Sequence, residues 1–147
     1  MMSFHGYLND QTRNFCIGEP PDRLKEGYAL VREIHERFKE AAVPGTVTGE
    51  LYDRVCTWVA EAGWADHFMG YGENRVSFVA HGLGLEVDEF PFIAQGQKLE
   101  LQKGMIFAFE PKLIVPGLGI TGLENTYLVT EKGLVSLNEA SEEMVCV

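Results

Sequence analysis

Between Pro20 and Ala62 apolar residues recur every three or four positions, and after Asn74 that period is gone. This change constrains the fold more than composition does, because a helix-period pattern cannot bury its apolar face as a strand, nor the reverse. The first part predicts a helix pair. Pro20 and Pro21 suit a first helical turn, and Leu24, Tyr28, Val31, Ile34, Phe38 and Ala41 form one apolar stripe. In "VPGT" Pro44 and Gly45 end that helix, and Thr46 or Thr48 is expected to cap a second one with Leu51, Val55, Trp58 and Ala62 inward. The two form a hairpin. His35 beside the first stripe reads as a surface residue, and Trp64 to Asn74, rich in Gly and aromatics without a clean period, reads as a loop.

The later part is β in character. "RVSFVAHG", "GMIFAFEP", "KLIVPG" and "ITGLENTYLVT" are short, β-branched and aromatic, and Gly and Pro separate them, which is the pattern of an antiparallel sheet. "TEKGLVSL" predicts a hairpin turning at Lys132 and Gly133. At the other end, Met1 to Ile17 predicts one or two short strands with a turn at His5 and Gly6. No repeat, low-complexity run or linker divides the chain. The expected class is α+β: strand, helix pair, then a run of strands, forming a single domain over residues 1–147.

The formal net charge is -10 at pH 7, which argues against a nucleic-acid or anionic-membrane partner and for a cation. No apolar run approaches the roughly 18 residues a membrane span needs. Cys16, Cys56 and Cys146 are too scattered for a disulfide framework and are expected as buried thiols in a reducing, cytoplasmic setting.

Several acids sit where a strand should be apolar. Phe107 and Phe109 face one way on their strand and Glu110 the other; Glu124 interrupts "GLENTYLV", where Leu123, Tyr127 and Val129 are expected in the core; and Asp10 lies within "GYLNDQTRNF". A buried carboxylate without a partner costs several kcal/mol, so such acids require cations, hydrogen bonds or protons. "AHGLGLEVDEFPFI" adds His81 just ahead of Glu86, Asp88 and Glu89. One neutral imidazole among carboxylates suits borderline to hard divalent ions such as Mn, Co, Fe or Zn. The bland alternative is a hydrogen-bonded core histidine with solvated acids.

"GYLNDQTR", "HGLGLEVDEFP", "GMIFAFEP" and "GLENTYLVT", in that order, resemble the motifs of the pita-bread metallopeptidase superfamily: methionine aminopeptidase, Xaa-Pro peptidase (prolidase) and creatinase. The spacing from His81 to Glu110 and on to Glu124 is similar to that of the prolidase-like branch. The resemblance implies a partial pita-bread fold, a curved antiparallel sheet with a helix pair on it, matching the later part of the catalytic domain. It implies two divalent metal ions held by two Asp, one His and two Glu. Asp10 matches the second Asp, His81 the His, and Glu110 and Glu124 the two Glu; the first Asp would fall before residue 1. Glu110 would be the catalytic base. The implied function is metal-dependent hydrolysis of a peptide substrate near an X-Pro bond, with impaired activity if the first Asp is lacking. A non-catalytic peptidase-like binding module is the alternative, and metal-free creatinase-type chemistry a weaker third.

There are departures. The family's second His, which holds the scissile carbonyl, is replaced by Asp88, which is expected at the catalytic site either protonated or binding a substrate amine. The R-I-E-D run around the last ligand is replaced by Gly122, Leu123, Glu124 and Asn125, so the arginine's role is vacant. The first strand, from about Ser3, would pair in the resembled fold with an upstream strand; its open edge is expected to be covered by a second copy in a homodimer.

Overall fold

The first apolar stripe becomes α1, Asp22–Ala41, with Tyr28, Val31, Ile34 and Phe38 buried and Leu24 and Ala41 half-buried at its ends. The coordinates are a computed structural model that describes residues 2–147; Met1, the first residue of the expected N-terminal strand region, lies outside the described residues. His35 is not on the surface. It is 1 % exposed, because Val31, Ile34, His35 and Phe38 step by three and four residues along one face. Both ring nitrogens find partners inside, Nδ1 against the Tyr127 hydroxyl and Nε2 against the Leu123 carbonyl, each at 3.0 Å.

The second helix, α2, spans Thr48–Glu61. Leu51 and Val55 are buried as expected, but Val59 continues the inward row, Trp58 is half-buried and Ala62 is exposed beyond the helix end. No threonine caps it. The Thr48 and Gly49 N–H groups donate to the Leu99 and Gln97 carbonyls at 2.8 and 3.1 Å, so backbone from a distant segment satisfies the helix N-terminus.

The strands are β1 (Met2–Phe4), β2 (Tyr7–Asn9), β3 (Phe15–Cys16), β4 (Gly70–Tyr71), β5 (Asn74–Arg75), β6 (Phe78–Gly82), β7 (Glu89–Ala94), β8 (Ile106–Phe109), β9 (Lys112–Val115), β10 (Gly119–Gly122), β11 (Asn125–Thr130), β12 (Gly133–Ser136) and β13 (Val145–Cys146). β1 and β2 pair with each other across the turn at His5 and Gly6. The expected loop from Trp64 holds more structure, a 3-10 turn at Ala65–His67 and the β4–β5 hairpin.

The main sheet has the order β12-β11-β8-β6-β7, antiparallel throughout. α1 packs on the β9–β10 hairpin and β12, and α2 packs on β7. Phe38 stacks on Phe109 and meets Phe107 edge-on, which joins helix to sheet. The cysteines are not the buried thiols expected: Cys56 on α2 is half-buried, and Cys16 and Cys146, half-buried and exposed, lie on the short β3–β13 pair outside the main sheet. Among the described residues no helix is long and apolar enough to cross a membrane.

Candidate metal centre

Three points where strands begin or end bring acids around one imidazole. His81 lies on β6 between β7 and β8, opposite Phe92 and Ala108. The strand is tightly held there: a Cβ on Gly82 would come within 2.3 Å of the Phe90 carbonyl oxygen, so only glycine fits after His81. Glu110 follows β8, and its N–H donates to the Val79 carbonyl of β6 at 2.9 Å. Glu124 precedes β11 and pairs backbone to backbone with Thr12. Asp10 follows β2, anchored where its carbonyl accepts the Thr126 hydroxyl at 2.8 Å.

The structure brings the four expected ligands together. One ligand atom each of Asp10, His81 and Glu124 lies within 4.8 Å of the others. His81 Nε2 is 3.9 Å from Glu110 Oε1 and 4.0 Å from Glu124 Oε1. Asp88 is elsewhere. Its carboxylate is 57 % exposed and lies 3.3 Å from Nδ1, the ring nitrogen turned away from Glu110 and Glu124, and the Gly82 carbonyl stands at 3.2 Å from that same nitrogen.

Burial is the first cause that pushes the Glu124 carboxyl above its ordinary pKa; Asp10 and Glu110 push the same way. The Thr12 hydroxyl, which donates to Glu124 Oε2 at 2.6 Å, and His81 oppose the shift. A buried acid among acids with one imidazole is a donor set of oxygens and one nitrogen, without sulfur. That set fits Mn, Co, Fe or Zn and gives a divalent ion the charge it needs.

Sequence reasoning gave no role to the residues that hold these ligands. Arg13 donates from all three guanidinium nitrogens: to the Thr12, Glu124, Ala140 and Ser141 carbonyls and to Asn125 Oδ1, at 2.8 to 3.1 Å. It ties the backbone of Glu124 to the C-terminal segment. Lys112, on the strand after Glu110, places Nζ 2.5 Å from Glu110 Oε2. The only sequence signals were Thr12 and Arg13 in "DQTR" and a lysine two positions after an acid.

The profile of metallopeptidase family M24 matches residues 1–131. The chain is 33 % identical over 142 residues to the Xaa-Pro dipeptidase of Pyrococcus furiosus, covering 97 % of this chain and 39 % of that protein. It is 38 % identical over 143 residues to the probable dipeptidase PepE of Mycobacterium bovis, covering 97 % and 36 %. The chain thus spans less than half the length of these relatives. The crystal structure of X-Pro aminopeptidase from Thermotoga maritima superposes with a TM-score of 0.89 at 28 % identity, over 99 % of this chain and 39 % of that one. The fold is therefore the expected α+β pita-bread fold. A matched profile over most of the sequence, with the four motifs converging in space, places the chain in metallopeptidase family M24.

Proposed function

We propose that this chain carries a metal-dependent exopeptidase site that hydrolyses a peptide next to an X-Pro bond, as an Xaa-Pro aminopeptidase or dipeptidase does. The observation that carries the proposal is the approach of Glu110 and Glu124 to His81 Nε2 at 3.9 and 4.0 Å, with Asp10 in the same cluster. Asp10, His81, Glu110 and Glu124 would hold divalent ions, two in the full arrangement, of the Mn, Co, Zn or Fe class. Such ions, when bound, supply Lewis acidity and acidify a water molecule. Glu110 is the base. One of its carboxylate oxygens takes a proton from the attacking water, and the same group returns it to the leaving amine nitrogen as the C–N bond breaks. His81 is fixed for its part by acceptors on Nδ1, which leaves Nε2 as the inward lone pair.

The test is cleavage of an X-Pro dipeptide, and of a longer peptide with Pro second, by chain stripped with a chelator and reloaded with Mn²⁺. Cleavage is expected only after reloading, and Glu110→Gln should slow it by at least about 100-fold. Cleavage indifferent to chelation or to Glu110→Gln would contradict the proposal. Mn²⁺ binding without cleavage of either peptide would favour the non-catalytic binding module instead.

A further inference from the structure

Lys112 stands beside the ligand set without belonging to it. Residues 110 and 112 are two apart along extended chain, so their side chains leave on the same side. The Lys112 ammonium accordingly meets Glu110 Oε2 at 2.5 Å, while Oε1 of the same carboxylate faces His81 Nε2. The Glu110 side chain is 15 % exposed and that of Lys112 35 %, so water screens the pair incompletely.

The backbone opposite explains how the lysine fits. Lys112 on β9 is the register partner of Gly122 on β10, two residues before Glu124. A Cβ built on Gly122 would lie 2.9 Å from the Lys112 Cβ and 3.2 Å from the Pro111 carbonyl oxygen. With no side chain on Gly122 of β10, the Lys112 side chain has room on β9 directly across from it.

We propose that Lys112 is the site's built-in counter-cation, which contends with a divalent metal ion for Glu110. The inference rests on the metal reading of the cluster made above. Its physical content is a charge count. Glu110, Lys112 and Glu124 line one pocket together with Thr12, Asn14 and Leu123, so an ion that the two carboxylates would hold would feel the fixed positive charge of Lys112. Removing that charge makes the pocket one unit more negative and favours the metal. It also leaves Glu110 without its partner when no metal is bound.

The experiment is Mn²⁺ titration calorimetry on the chelator-stripped chain and on Lys112→Met, Lys112→Arg and Glu124→Ala, with the melting temperature of each metal-free form. Lys112→Met is expected to bind Mn²⁺ about tenfold more tightly or better and to melt lower without metal. Lys112→Arg keeps the charge and should stay near the parent affinity. If Glu124→Ala loses Mn²⁺ while Lys112→Met binds it equally or more weakly, the metal site stands and the counter-cation role is overturned; weaker binding would mean that Lys112 only aims Glu110 at the metal. If no form binds Mn²⁺, the metal reading fails and the inference falls with it.

Discussion

His35 shows how a single side chain ties the helix layer to the site. Burial pushes its pKa from 6.5 down to about 3, because a charged imidazole would lose its water; the Leu123 carbonyl, next to Glu124, opposes the shift without cancelling it. The sign follows from linkage. The unfolded chain takes up this proton near pH 6.5 and the native state does not, so the contribution is intact above pH 6.5 and is lost as pH falls toward 3. Over that window stability should drop by about 1 kcal/mol per pH unit from this residue. Urea unfolding between pH 7 and pH 4 checks it: His35→Gln should flatten the slope, and an unchanged slope would remove His35 as the cause. Thr12 belongs to the same scale. Its hydroxyl holds Glu124 Oε2, so Thr12→Val should weaken Mn²⁺ affinity by about 10- to 100-fold, the usual cost of losing an outer partner of a metal ligand. Of the proposed ligands, the three acids were legible in the sequence as carboxylates out of place in apolar strands. Thr12 and Arg13 were not, because the Glu124 atoms they hold lie more than 100 positions away; His35 lies on the helical period of α1, but the Leu123 carbonyl that accepts it is 88 positions on.

At the scale of elements, periodicity located both helices, and β-branched and aromatic runs between Gly and Pro marked β6, β8, β9, β11 and β12 but not β7; the other missing details were long-range. The start of α2 is the clearest case. Threonines at 46 and 48 are good local caps, yet the segment 97–101 supplies carbonyls to the helix N-terminus, and Gly49 is the residue that allows it to come close. A Cβ on Gly49 would lie 2.4 Å from the Gln97 carbonyl oxygen. Gly49→Ala should therefore destabilise the chain by about 1–3 kcal/mol, although alanine is the better helix former. The Thr48 hydroxyl, freed from capping, is buried without a hydrogen-bond partner among the described residues. Thr48→Val keeps the shape and removes that orphan, so it should be neutral or stabilising by about 1 kcal/mol. Thermal melts should show a clear loss for Gly49→Ala and none for Thr48→Val, and equal losses would contradict this account of the helix start. The short pairings β4–β5 and β3–β13 escaped sequence reading because strands of two residues carry no period to detect.

For the whole molecule, the proposed ligand set is assembled from parts far apart in the chain: Asp10 from the N-terminal hairpin, His81 from the sheet centre, Glu110 and Glu124 from strand ends. The order of motifs made this legible before any coordinates, since four ordered motifs at fixed spacing specify one arrangement. What they could not specify was the charge environment, in which Asp88 stands outside the cluster and Lys112 stands against it. A metal ion that binds only the assembled site stabilises the folded chain; at a concentration 100 times its dissociation constant the gain is about 2.7 kcal/mol. The most direct measurement is an anomalous difference map from a crystal of the chain soaked in Mn²⁺. The account predicts the strongest peak about 2 Å from His81 Nε2 and in contact with carboxylate oxygens of Asp10, Glu110 or Glu124. A strongest peak elsewhere, with none among these four side chains, would contradict it.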